Sequence, residues 1–427
     1  MSRGLRLTRC GTPGAANTPN ICREEIPMKR SIYFILMSLA LAAAPGAAAP
    51  QRAFAAAPDQ VRKMTYQEAR QRLRPAELPA FWVGSVEDLP SRWAKLSAGH
   101  AREIARSPGG RPLHLVSYGE RETVKHPANF NSAVGGRDPA SYMDKAARRK
   151  PVVYFVGPVH GHEVEGLTGL VNLVQIMETG RDLRGKDQSA LRSLGGQCRL
   201  LILPAGNPDG IARFEPRAIH GMPKDEFQFW GMGTWADDSI AFWPGSKRQH
   251  PRTGPEIGWM GCYFNDKGVN PMHDEFLAPM STEAPAILRA AMDEGPDLAV
   301  SLHSHESRPA VLRPAYVPLE VQEQVRSLAE RAYALLAGRR LPHGSLPEAR
   351  PDTCKNMDSF NLVSALHHIS GAAAFTFECP HDVADEKACR VTFDEILDIQ
   401  LSVYEAMLRF AMDAKQKGAS PAGQKSN

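Results

Sequence analysis

Pro151-Val-Val-Tyr-Phe-Val156, running into Gly157-Pro-Val-His160-Gly161-His162-Glu163-Val-Glu165, is the stretch on which the reading of this chain turns. An apolar run bounded by a proline and a glycine has the profile of a strand buried on both faces. The residues that follow, Glu163 to Thr179, place Leu167, Leu170, Val171, Val174 and Met177 at helical spacing. A buried strand that hands directly to a helix belongs to a parallel sheet, and ligands collect where such strands end and loops begin.

Working outward, Cys198-Arg-Leu-Leu-Ile-Leu203, Leu298-Ala-Val-Ser-Leu302 and Ala372-Ala-Ala-Phe-Thr-Phe377 repeat the buried-strand profile. The turn Ser107-Pro-Gly-Gly-Arg111 leads into a further strand over Pro112–Tyr118. Helices are expected over 60–73, 89–104, 282–294, 319–336 and 393–414, and residues 206–280 read as one long irregular loop. A loop of that length inside a compact domain is usually functional. Strands alternating with helices predict an α/β fold, a mixed but mostly parallel sheet flanked by helices.

The 427 residues are 43% apolar and 23% charged, which excludes a disordered or fibrous chain. The formal charge of +4 is carried by the first 55 residues, which hold seven basic and two acidic side chains, so the remainder is near −1. Nothing in that balance suits nucleic acid or an anionic membrane. Met28-Lys29-Arg30, the apolar run after it and the small residues at Ala47–Ala49 or Ala53–Ala55 read as a secretory signal, with translation starting at Met28 and the product secreted or periplasmic. No later stretch reaches the roughly 20 apolar residues of a membrane helix. The expected organisation is a leader over 1–55, a helical extension over 56–104, a catalytic domain over 105–415 and a frayed tail over 416–427. Five cysteines beyond the leader, Cys198, Cys262, Cys354, Cys379 and Cys389, are too few and too scattered for a disulfide scaffold.

Four strand ends carry ionisable or amide groups: His160 to Glu165, Asn207-Pro208-Asp209-Gly210, His303-Ser304-His305-Glu306, and Glu378-Cys379-Pro380-His381. A His and a Glu three residues apart at a strand-to-helix turn can share one metal ion, and a distant His would complete the set while leaving a position open. The His-x-x-Glu spacing also occurs at His100/Glu103, His162/Glu165 and His303/Glu306. Position favours His160/Glu163, which directly follows a buried strand; His162/Glu165 is the rival register, and His305 the rival third ligand.

Taken in order, these residues resemble the zinc metallocarboxypeptidases of the M14 type across roughly 105–412. His160-Gly161-His162-Glu163 is similar to that family's His-Gly-x-Glu motif, Asn207-Pro208-Asp209-Gly210 to its Asn-Pro-Asp-Gly turn, and Ser281-Thr-Glu283 to the opening of the helix before the third ligand. Leu302-His303-Ser304 resembles the strand end that carries this ligand, and Phe375-Thr-Phe-Glu378 the Phe-Thr-x-Glu strand, 75 residues after His303. The resemblance implies the metallocarboxypeptidase (phosphorylase/hydrolase-like) fold and one zinc ion per chain, held by His160, Glu163 and His303. It further implies Glu378 as general base and Arg217 as the transition-state cation. Such a zinc acidifies its water and polarises the scissile carbonyl, a neighbouring carboxylate moves the proton, and a fixed guanidinium stabilises the oxyanion.

Two departures bear on the substrate. Where the family has Asn-Arg to grip a terminal carboxylate, this chain reads Met272-His273, and an imidazole cannot reproduce a two-pronged guanidinium contact. His273 is the candidate binder, with Arg248, Arg252, Arg308 and Arg313 as substitutes. The family's mobile tyrosine is replaced by the segment Asn356-Met357-Asp358-Ser359. The expected activity is hydrolysis of an amide bond in a peptide or peptide-like substrate. An amidohydrolase acting on N-acyl amino acids or cell-wall peptides is one alternative, and a silent zinc-binding protein on the same fold is another.

Overall fold

The computed structural model describes residues 62–73, 77–353 and 358–419. The signal sequence, Cys354 and residues 420–427 lie outside these residues, as do Asn356 and Met357. Seven strands form the main sheet: β1 (His100–Arg106), β2 (Pro112–Tyr118), β3 (Val152–Val156), β4 (Arg199–Leu203), β7 (Leu298–His305), β8 (Ala310–Leu312) and β9 (Ala373–Pro380). Between them, β5 (Gly233–Trp235) and β6 (Ile257–Met260) make a small antiparallel ribbon in the long loop. The sheet order is β1-β2-β4-β3-β7-β9-β8. Its four central strands, β4, β3, β7 and β9, run parallel, and the flanking pairs are antiparallel. This is the mixed, mostly parallel sheet that the sequence predicts.

Alternation along the central strands sorts their side chains into two cores. Val153, Phe155, Val300, Phe375 and Phe377 join helices Glu165–Thr179, Leu319–Gly338 and Phe393–Ala419 on one face. Val152, Tyr154, Val156, Ala299 and Ala374 join helices Glu283–Glu294 and Leu362–Ser370 on the other. All these strand residues are buried, and each large apolar side chain removed from water contributes about 1.5–3 kcal/mol. Among the described residues, no helix is long and apolar enough to cross a membrane.

Residues 89–104 depart from the helical expectation. Only Leu89–Trp93 is helical, and His100–Arg106 is the edge strand β1. A register shift between Glu103 and Ala105 breaks its alternation, and charged side chains cover its outer side, a common guard on an exposed edge. His100/Glu103 therefore sits on a strand. The loop 206–280 holds short helices at Pro208–Arg213 and Lys224–Met232 as well as the ribbon.

The turn after β3 presses on the turn after β4. Asn207 caps its own helix by accepting from Gly210 N (3.0 Å) and donates through Nδ2 to Val159 O (3.1 Å). Buried Asp209 accepts from Ser107 Oγ (2.5 Å), Gly109 N (3.0 Å), Arg111 Nη1 (2.8 Å) and Asp266 N (3.2 Å), clamping the β1–β2 turn to the same spot. At Gly161 the two turns touch through backbone, and an added Cβ would overlap Gly210 and Ile211. Gly161→Ala is therefore expected to cost about 1–3 kcal/mol in thermal or urea unfolding. Gly135→Ala, whose Cβ would meet open space, should be neutral or slightly stabilising; equal effects would refute the contact argument.

Candidate metal centre

His160 and Glu163 lie in the turn after β3, and His303 near the end of β7, the neighbouring parallel strand. His160 Nδ1 is 2.9 Å from Glu163 Oε1, His303 Nδ1 is 2.9 Å from Glu163 Oε2, and the two Nδ1 atoms are 3.1 Å apart. Among the described residues this is the one group of three or more His, Cys, Asp or Glu side chains whose donor atoms converge closely enough to share an ion. All three are buried. Burial pushes the His160 imidazole down to about 3, so the ring is neutral. Against burial, which alone would raise it, the two imidazoles hold the Glu163 carboxyl well below its ordinary range. For His303 burial works downward, but the Glu163 carboxylate outweighs it and the net shift is upward.

Two facing imidazole nitrogens cannot both present lone pairs at 3.1 Å without a proton or a cation between them. Two imidazoles and one carboxylate are also the donor set of an open catalytic zinc site, so the residues present fit that ion. His303 Nε2 is held by Ser301 Oγ at 3.0 Å, which orients the ring from behind. His160 stacks on Tyr263, with ring centroids 3.6 Å apart, and its Nε2 is buried without a partner.

The rival register does not form. Ser304 Oγ donates to Glu165 at 2.7 Å, while His162 is surrounded by Phe214, Phe227 and Tyr263 with its Nε2 4.0 Å from Glu163. His305 lines the cavity, but its Nε2 bonds Arg308 O and it is not among the converging donors. Glu378 stands opposite His303 in the β7–β9 register and lines the same cavity, about 820 Å³, as the three donors. Burial raises its carboxyl above the ordinary range.

His273 also lines this cavity. Burial and neighbouring Lys247 push its imidazole down to about 2, so it is neutral. Lys247 Nζ donates to His273 Nε2 (3.1 Å), and an ammonium can only donate. That leaves the proton of the neutral ring on Nδ1, facing Ser359 Oγ at 3.1 Å. The positive charge at this wall thus belongs to Lys247, which the sequence reading passed over. It lies 5.3 and 5.9 Å from the ring centroids of Trp243 and Tyr263. Lys224, Arg313 and Arg350, the other Lys and Arg of this lining, each pair with a carboxylate.

Arg217 is not at the cavity. It is exposed, 3.4 Å from Glu87, in a left-handed backbone conformation (φ 62°) that directs the loop past the site. The structure thus does not bring Arg217 together with the three donors and Glu378. Arg252 is buried elsewhere, donating to Thr234 O, and neither Arg248 nor Arg308 lines the cavity, so neither is placed to bind the reacting end of the substrate.

Residues 97–253 match the family model described as zinc carboxypeptidase. Over these residues, which are under half of the chain, the sequence is similar to that family. The match supports a metallopeptidase-type hydrolase and takes in His160, Glu163 and the Asn207–Gly210 turn. The strands carrying His303 and Glu378 lie beyond the matched residues. No curated protein matches the chain. Similar solved structures include a metallo-carboxypeptidase from Burkholderia cenocepacia (14% identical, TM-score 0.48, covering 78% of this chain and 71% of that one). A metallo-carboxypeptidase from Pseudomonas aeruginosa is 14% identical with TM-score 0.44, covering 77% and 68%. Carboxypeptidase A from Helicoverpa armigera is 12% identical with TM-score 0.42, covering 85% and 75%.

Glu165 behind the centre gives a pH signature. Burial raises its carboxyl from 4.5 to about 8, so the folded protein keeps a proton that the unfolded chain releases. Its contribution to stability is full below about pH 4.5 and is lost as pH rises through about 8. In the metal-free protein, Glu165→Gln should flatten the fall in urea midpoint between pH 5 and pH 8; an unchanged slope would refute the assignment.

Proposed function

We propose that this protein is a zinc-dependent, metallopeptidase-type hydrolase that cleaves an amide bond in a peptide or peptide-like substrate and binds one zinc ion through His160, Glu163 and His303. The observation that carries this reading is the convergence of three donor side chains, with contacts of 2.9–3.1 Å between them, in one cavity with the raised carboxyl of Glu378. A bound zinc ion supplies Lewis acidity to the scissile carbonyl and to a water molecule.

Glu378 is the general base: it accepts a proton from water and returns it to the leaving amine. A carboxyl raised toward neutrality exchanges protons in both directions more readily. Lys247, steadied by His273, faces the negative charge of the substrate, the part that Arg217 cannot take from its exposed position. An ammonium offers a point charge where the family uses a guanidinium fork. The Lys247–His273 arrangement therefore also supports the second reading, an amidohydrolase on N-acyl amino acids or cell-wall peptides. The signal-like segment after Met28 supports a secreted or periplasmic location.

Glu378→Gln should abolish turnover with zinc content near one per chain, and His303→Ala should lower zinc retention in elemental analysis. Turnover in the first variant, or full zinc in the second, would refute these roles. Lys247→Met should lower kcat/KM by about 10²-fold while zinc is retained. In a peptide-library digest, release of single C-terminal residues supports carboxypeptidase action, and a released acyl group supports the amidohydrolase. Bound zinc without turnover of any amide would leave a silent zinc-binding protein.

A further inference from the structure

Past β7 the chain turns through Ser307 and Arg308 into β8. This turn, the segment 340–350 and the loop 387–390 enclose a second groove of about 1120 Å³. Six of its lining residues are cations, Arg308, Arg313, Arg340, Arg350, Lys387 and Arg390, against one carboxylate, Glu348. Three are engaged: Arg313 with Asp352 (2.7 Å) and Asp358, Arg350 with Asp358 (3.5 Å), and Arg390 with Asp382 (2.9 Å). Arg308, Arg340 and Lys387 are exposed and make no ion pair with any described residue. Since the chain beyond residue 55 is close to neutral, this excess is a local concentration and does not reflect overall composition.

The groove borders the cavity of the metal centre, because His305, Leu312, Arg313 and Arg350 line both. Strand β8 sets Ala310 opposite Glu378, so the groove begins one strand away from that carboxyl. Its uncharged wall is aliphatic, with Val311, Leu312, Leu341 and Pro342, and it contains no Phe, Tyr or Trp. A single-stranded nucleic acid would look for aromatic platforms on which to stack its bases; a peptide backbone with acidic side chains needs only cations and an apolar floor.

We propose that this groove receives acidic side chains of the same peptide whose amide bond lies at the metal centre, so that the enzyme selects substrates carrying Asp or Glu away from the cleaved bond. This rests on the hydrolytic reading above and extends it to substrate class. The test uses full-length, zinc-loaded Glu378→Gln protein and two labelled peptides that share their terminal residues, one extended by glutamates and one by glutamines. Fluorescence anisotropy at low salt should show the acidic peptide bound about tenfold tighter, each exposed charge pair being worth a few-fold at most, and high salt should shrink the difference. Replacing Arg308, Arg340 and Lys387 together by Ala should erase the preference, leaving affinity for the glutamine peptide unchanged. In a wild-type background the same triple change should leave turnover of a short uncharged peptide unchanged, and exchanging Lys for Arg at the three positions should keep the preference.

Equal affinities in the starting protein, or a preference that survives the triple alanine change, would overturn the proposal. Tighter binding of a single-stranded oligonucleotide than of the acidic peptide, lost in the triple variant, would overturn it in favour of nucleic acid. Failure of the hydrolytic reading would appear separately, as absence of turnover of every peptide by the wild-type protein, and would leave the binding difference measurable.

Discussion

The side-by-side placement of β3, β7 and β9 is the constraint on which the centre depends. Neighbouring strands are separated by about 4.8 Å, so residues at the carboxyl ends of adjacent parallel strands meet without long side chains or mobile loops. His303 and Glu378 are direct register partners, and a slip of one residue in either strand would turn one of them to the opposite face. The register is held by the apolar side chains behind it, Val300, Leu302, Phe375 and Phe377 among them. Asn207 and Asp209 secure the neighbouring turns and touch none of the three donors. The Asn-Pro-Asp-Gly motif thus acts as scaffold: it places His160 and Glu163 by fastening the backbone that carries them.

Gathering polar groups in a buried place is costly unless each is compensated. One carboxylate between two imidazoles meets that condition, since Glu163 faces a nitrogen with each oxygen. Lys247 is the counterpart across the cavity. Among the described residues it has no ion-pair partner, yet Trp243 and Tyr263 offer their ring faces and His273 a lone pair; burial lowers its pKa, and Glu163 and Glu378, which attract it from a distance, offset part of that. An ammonium held this way remains available to an incoming anion, as one committed to a carboxylate would not.

Much of this was legible in the sequence because parallel strands buried on both faces write themselves as short apolar runs between prolines and glycines. β3, β4, β7 and β9 were read in that way, with β7 and β9 continuing a few residues further through the polar ends that carry the chemistry, and antiparallel β2 was read from the turn that leads into it. β1 was misread because a surface strand with a register break has neither an apolar run nor a clean alternation. β5, β6 and β8, at three or four residues, are too short to leave a pattern. At the site, His160, Glu163, His303 and Glu378 follow strands and could be placed by topology. Arg217 and Lys247 lie in the loop 206–280, whose course is set by tertiary contacts that no local pattern encodes. A lysine following Trp243-Pro-Gly-Ser in that loop was the available signal, and its meaning comes only from packing against His273, 26 residues later.

The cysteines carry a practical consequence. All four described ones are free thiols, and Cys198, Cys262 and Cys379 are buried. Burial pushes Cys198 and Cys262 up to about 12 and Cys379 well above its ordinary value, leaving almost no thiolate to react with oxidants or glutathione. These three thiols are therefore shielded from oxidation, and half-buried Cys389 is the described cysteine that a thiol reagent would reach first.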